Sequence, residues 1–181
     1  MKNYKFIASM VATFGALLML ISLFLPYAVA NEYMAKRIEK YPDELVLEDG
    51  SMTSSDLKEV SLLEFSYMFS KIYEDRDDGV AYMVIGIISV AFSAMCVILA
   101  LFKKPIGAFV FSMLSYGVFY LWYNDLSVSR GVVPGSNYDV GFGYYIYYFA
   151  LAVTMAGCVW LLVEKIKEKI ARKKAAIPQE N

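Results

Sequence analysis

Histidine does not occur anywhere in the 181 residues. Its absence removes the side chain that most often shuttles protons near neutral pH and most often ligates zinc. Zinc-dependent hydrolysis, His-based acid/base chemistry and a Ser-His-Asp triad are therefore not expected. Cysteine is nearly absent as well. Cys96 and Cys158 both sit inside apolar runs, which leaves the polar loops without a disulfide framework. Charge is missing over long stretches: residues 6–31, 79–102, 105–124 and 140–163 contain no Asp, Glu, Lys or Arg. Proton-coupled transporters, voltage sensors and many ion pathways keep ionisable groups at membrane depth, and those groups are lacking here. No Gly-rich phosphate loop occurs either, since Gly141-Phe142-Gly143 is followed by aromatic residues rather than by the Gly, Lys and Ser/Thr of a nucleotide site.

What the chain does hold is apolar length. Hydrophobic residues make up 59% of it and the mean hydropathy is +0.48, beyond the range of an ordinary soluble domain. At a rise of about 1.5 Å per residue, each uncharged run covers the roughly 30 Å of bilayer hydrocarbon as a helix, which satisfies its own backbone hydrogen bonds. The expected fold class is thus an all-α membrane protein. Four transmembrane helices, at 6–30, 79–102, 105–124 and 142–163, form an antiparallel bundle. An extracytoplasmic acidic loop at 31–78 contains a short amphipathic helix at about 55–74. No alternating pattern points to strands.

Lysine and arginine set the orientation. Lys2 and Lys5 precede the first run, Lys103-Lys104-Pro105 joins the second to the third, and the tail 164–181 carries Lys165, Lys167, Lys169, Arg172, Lys173 and Lys174. These segments are expected in the cytoplasm, with both termini. Residues 32–78 hold thirteen acidic residues against six basic ones, a net of −7, and residues 125–141 hold two Asp against Arg130. Both belong outside. A cleaved signal peptide is the competing reading of residues 1–30, because Ala28-Val29-Ala30 resembles a cleavage site. The apolar run before Pro26 is about 20 residues, longer than a signal core, which favours a retained anchor.

In the first outer loop, Tyr41-Pro42-Asp43 and Asp49-Gly50-Ser51 are turn signals. Beyond Ser54, Ser55 and Asp56, any of which suits a helix cap, Leu62, Phe65, Phe69 and Ile72 recur at spacings of three and four. They form an apolar stripe that packs on the spans or headgroups, or else a candidate interaction face for another protein. Tyr116, Tyr120, Trp122, Tyr123, Tyr144, Tyr145, Tyr147 and Tyr148 read as an aromatic belt. The six basic tail residues are candidate anchors to anionic lipid. Ala8, Ala12 and Ala16, Ser89 and Ser93, and Ala152 and Ala156 are small residues at helix-packing spacing. Cys96 and Cys158 lie at similar depth and read as buried free thiols. The acids Glu74, Asp75, Asp77 and Asp78 lack the spacing of a calcium loop, so neither a metal nor a cofactor is expected.

Four spans, a long first outer loop, a shorter second one and both ends inside resemble the claudin and tetraspanin plan in topology. Residues 31–78 contain no Trp and no Cys, so the signature residues of both families are missing and their functions do not carry over. The basic start, Leu23-Phe24-Leu25-Pro26-Tyr27 ending the first run and Gly141-Phe142-Gly143-Tyr144-Tyr145 opening the last resemble small, uncharacterised four-helix membrane proteins of bacteria. That resemblance implies a bacterial plasma membrane. The chain is accordingly expected to be non-enzymatic, an accessory subunit or scaffold of a membrane complex that acts by protein binding. Membrane lipids and another membrane protein or a second copy are its expected partners; nucleic acid is not. Two further readings remain open: an immunity-type protein that intercepts a toxin or peptide, and a small transporter or channel subunit.

Overall fold

The computed structural model describes residues 2–74 and 76–175. Asp75 lies outside the described residues, as do the side chains of Lys2, Asp77 and Lys174. In chain order the elements are α1 (Lys2–Ser22), β1 (Pro26–Ala30), α2 (Glu32–Lys40), β2 (Glu59–Ser61), α3 (Leu62–Ile72), α4 (Asp77–Leu101), α5 (Pro105–Tyr123), β3 (Tyr138–Val140) and α6 (Phe142–Ala175). A 3₁₀ turn at Ser54–Lys58 precedes β2, and α5 widens into a π turn at Asn124–Ser129. Four helices, α1, α4, α5 and α6, are long and apolar enough to cross a membrane.

These four close into a ring in which α1 packs on α6 and α4, and α5 packs on α4 and α6. In lipid, burial of apolar surface does not draw helices together, so close van der Waals approach must do so. The sequence supplies it with small residues. Ala8, Ala12 and Ala16 are fully buried, with Met19 and Leu23 continuing their face, while Met10, Phe14 and Ile21 point outward. Opposite them α6 presents Ala150, Thr154, Gly157 and Cys158, all buried. Ala152 and Ala156, the expected packing pair, are exposed instead. Both faces of α6 carry small residues, and the backbone approach at Gly157 selects which one turns inward: a Cβ there would lie 2.5 Å from the Ala12 nitrogen.

Polar groups inside the ring bond to one another or to backbone carbonyls. Ser115 Oγ lies 2.9 Å from Ser93 Oγ and 3.0 Å from Tyr147 Oη, which links α4, α5 and α6. Ser9 Oγ donates to the Ala100 carbonyl and Cys96 Sγ to the Ala108 carbonyl, both at 3.2 Å. Among the described residues no buried side-chain nitrogen or oxygen lacks a partner. Cys96 and Cys158 are free and at most 2% exposed. Neither is expected to react with a maleimide in detergent-solubilised protein, and both should react after denaturation in SDS; labelling followed by intact-mass measurement checks this.

One end of the ring carries the small sheet, in the order β2-β1-β3 with both pairings antiparallel. The sequence reading extends the first span through residue 30, yet α1 stops at Ser22 and residues 26–30 are the central strand. Pro26 accounts for this: it cannot donate within a helix and biases the residue before it toward extended backbone. At the start of α6, a Cβ on Gly141 would lie 2.3 Å from the Pro26 carbonyl oxygen, and the Gly141 N–H donates to the Tyr27 carbonyl at 2.7 Å. The Gly-Phe-Gly segment therefore serves close passage of backbone over β1. At the other end of the ring, Lys103 turns the chain with φ 55° and Pro105 opens α5 at its first turn.

The sheet also alters the aromatic belt. Tyr147, Tyr27, Phe119 and Trp122 are buried, with Phe119 and Tyr147 stacked at 3.7 Å, whereas Tyr120 and Tyr145 are exposed. In β3, Tyr138 packs edge-on to Phe65, and burial raises its phenol to about 12. The folded state thus holds the neutral phenol more firmly than the unfolded chain does. This stabilisation is complete below about pH 10 and lost as pH rises toward 12. Thermal melting between pH 9 and 11 should show the loss, and Tyr138→Phe should make it smaller.

Candidate functional site

The second half of the first loop is a helix, as the spacing of three and four predicts, but it is shorter than 55–74 and its stripe is already occupied. Ser61 caps α3 by accepting from the Glu64 N–H, and the Ser61 N–H donates to the Glu64 carboxylate at 2.7 Å, a reciprocal capping box. Leu62, Phe65 and Phe69 are buried against the sheet and α4, so three residues of the candidate interaction face are spent on internal packing. Only Ile72 stays at the surface, 51% exposed. The spacing identified the stripe correctly. What covers it is α4 together with the chain's own sheet, whose two outer strands have three residues each and are too short to announce themselves.

The accessible surface of α3 is a different one. Along α4 it forms a groove of about 730 Å³ bounded by Leu63, Ser66 and Tyr67 on α3 and by Val80, Met83 and Ile87 on α4. Val80, Met83 and Ile87 are each more than half exposed. The two helices approach closely at Gly86, where a Cβ would meet Ser66 Oγ at 2.2 Å, and Ser66 Oγ donates to the Tyr82 carbonyl at 2.7 Å. At its upper end the groove reaches Ser70, Lys71 and Glu74; at its lower end it reaches Val90 and Ala91.

Lys71 and Glu74 also line a second cavity of about 550 Å³, together with Glu48, Asp49 and Ile72. Its other wall is a loop pinned by a Leu45–Thr53 bridge and turned at Gly50, whose φ is 71°. Asp49 accepts from the Ser51 hydroxyl at 2.6 Å and from the Ser51 N–H at 3.0 Å, and these bonds hold its carboxyl below the usual carboxylate range. Tyr67 Oη donates to Ser51 Oγ at 3.0 Å, tying the loop to α3. Lys71 Nζ lies 3.6 Å from Glu74 and 3.9 Å from Asp49, distances of ion pairing without a direct hydrogen bond.

On the opposite side of the Phe65–Phe69 packing, Arg130 closes the sheet end of the ring. Its guanidinium sits 5.0 Å from the Phe69 ring and 5.3 Å from those of Tyr73 and Tyr82. Nε donates to Asp125 Oδ2 at 3.0 Å, Nη1 to Tyr73 Oη at 2.9 Å and Nη2 to Tyr82 Oη. Tyr82 Oη in turn donates to Asp125 at 3.0 Å. Burial works against the charge, but the Tyr73 hydrogen bond and the Asp125 carboxylate outweigh it and raise the guanidinium above its ordinary value. The sequence signal for this cluster is slight: one arginine between two aspartates in a loop, reached by aromatics some fifty residues away.

The basic tail is the last part of α6, with its own internal contacts. Lys165 Nζ donates to the Lys103 carbonyl at 2.5 Å, Lys167 pairs with Glu164 and Arg172 with Glu168, each at 2.9 Å, and Lys5 also pairs with Glu168. Lys169 and Lys173 are exposed. Glu74 and Asp78 are exposed too, and among the described residues no three Cys, Asp or Glu side chains converge as metal ligands would.

Four helices of spanning length and composition support a multi-pass membrane protein. Comparison with protein-family models, curated proteins and solved structures finds no match to this chain.

Proposed function

We propose that the chain is a non-enzymatic, multi-pass protein of a bacterial plasma membrane, built as an antiparallel four-helix bundle that holds a folded head outside the cell and acts by protein binding as an accessory subunit or scaffold. One observation carries the reading: the ring is closed by apolar packing and, among the described residues, its buried polar side chains are used up on one another and on backbone carbonyls. Chemical variety is concentrated in the head and its edge with the spans. The orientation draws support from the basic end, where the lysine-bearing segments around Lys5, Lys103 and Lys165 meet, away from the sheet. Retention of residues 1–30 draws support from β1, since cleavage after Ala30 would remove the central strand together with α1.

Chemical cross-linking in intact cells followed by purification in mild detergent tests the binding role. The expected result is a discrete larger species, hetero- or homo-oligomeric; a monodisperse monomer with no cross-linked product would overturn it. For orientation, single cysteines at Lys103 and Glu48 should label from opposite faces of the membrane.

A further inference from the structure

Of the surfaces left unassigned, the groove between α3 and α4 is the one whose two ends differ in chemistry. From Gly79 to Ala91 it follows α4 for about 18 Å, and from Ala91 to the end of α4 at Leu101 is about 15 Å more. Half of a bilayer's hydrocarbon is about 15 Å. If Leu101 marks one surface of the hydrocarbon, Ala91 is near its middle, and the Lys71 and Glu74 end of the groove is at the other surface. The groove thus has the depth of one leaflet, apolar below and charged above. This argument rests on α4 crossing a bilayer, as proposed above.

The charged end selects among headgroups. The upper cavity carries one ammonium, Lys71, and three carboxylates, Glu48, Asp49 and Glu74. Among the described residues Lys71 Nζ makes no direct side-chain hydrogen bond, so its protons can be given to a phosphate oxygen. Carboxylates around it repel a headgroup whose only charge is negative. They accept hydrogen bonds from a primary ammonium, which a quaternary one cannot donate. We infer that this groove binds one phospholipid bearing a primary amine, an ethanolamine-type lipid, with an acyl chain along Val80, Met83 and Ile87, its phosphate on Lys71 and its ammonium on Glu74 and the Glu48–Asp49 loop.

The test reconstitutes the full chain in an equimolar mixture of phosphatidylethanolamine, phosphatidylglycerol and phosphatidylcholine with identical acyl chains, then measures lipid retained through detergent exchange by native mass spectrometry. One phosphatidylethanolamine should be retained about tenfold over either competitor, the discrimination of a single charge-assisted contact. Lys71→Glu should abolish the preference, and Glu74→Lys, at a side chain 70% exposed, should move it toward phosphatidylglycerol. Ala91→Trp fills the lower groove and should release lipid while leaving the headgroup cavity intact. Equal retention of all three lipids, or a preference that neither charge variant alters, overturns the inference, as does a polypeptide co-purifying in place of lipid. Membrane-fraction partition under alkaline carbonate separates the two levels: a chain that stays in the membrane without lipid preference sinks this inference alone, and a chain that is extracted sinks the bilayer reading beneath it.

Discussion

Leucine in place of Gly157 is expected to lower the thermal stability of the detergent-solubilised protein more than any other single change in the spans. A Cβ at this position would lie 2.5 Å from the Ala12 nitrogen, 2.7 Å from its Cα and 2.9 Å from its Cβ. These are backbone atoms or atoms fixed to backbone, so no side chain can rotate away, and α1 itself must withdraw. The same contact is tight from the other side, where a Cβ on Gly15 would lie 2.6 Å from the Thr154 nitrogen. Overpacking of a well-filled interior costs about 1–3 kcal/mol, and Gly157→Ala is expected within that range. Leucine should exceed it, because it parts the helices along the most extensive contact in the ring. At about 2–4 °C per kcal/mol for a chain of this size, the melting temperature should fall by about 10 °C. Ala156→Leu, one residue away on the exposed face, should leave it nearly unchanged. Equal effects at 156 and 157 would mean that the α1–α6 contact is wrong.

Removing Arg130 is expected to have the next largest effect, and a local one. Its guanidinium touches α3 through Phe69, the end of that helix through Tyr73, α4 through Tyr82 and the π turn through Asp125 at once. Arg130→Ala also leaves the Asp125 carboxylate without its ion pair. The side chain is 28% exposed, so solvent screening tempers each contact. With about 0.5–1 kcal/mol for a partly exposed cation over an aromatic face, added non-additively to the pair with Asp125, a loss of about 2 kcal/mol is expected. Arg130→Lys keeps the charge but cannot address Asp125, Tyr73 and Tyr82 from one planar fork, and should recover less than half. Limited proteolysis is the sharper readout: cleavage between residues 124 and 140 should accelerate in both variants while the ring of helices stays protected. A uniform loss of protection would show instead that Arg130 supports the whole fold.

Legibility in the sequence followed the length of the pattern. The spans were plain because more than twenty consecutive residues agree on being uncharged, and the connections because lysines and acids segregate between them. Where a few residues decide, the pattern failed. Pro26 is a visible helix breaker, but it sits inside an uncharged run, so the run's length alone carries the first span past it. Helix α2 is capped by Asn31, which accepts from the Met34 N–H at 3.0 Å, yet in nine mostly charged residues only Met34 and Ile38 mark an apolar face. Strands β2 and β3 have three residues each, below any periodicity. In α3 the spacing marks a face that packs inward, in part on α4 as expected of a stripe lying on the spans and in part on the sheet, which amphipathicity cannot foresee because it reports that a face will be covered and says nothing of by what. The groove beside it was invisible for the same reason: Gly86, Ser66 and Lys71 acquire a common meaning only once α3 folds back along α4.

The central strand follows the first span after three residues, and the last strand precedes the last span by one. The head is consequently not a detachable module. Excised as residues 31–78, it would lack both the middle and one edge of its sheet, so that fragment cannot form the sheet by itself. During synthesis the middle strand is made early and stays without its second neighbour until more than a hundred further residues have been added. The sheet therefore cannot be completed until the residues just before the final helix have been made.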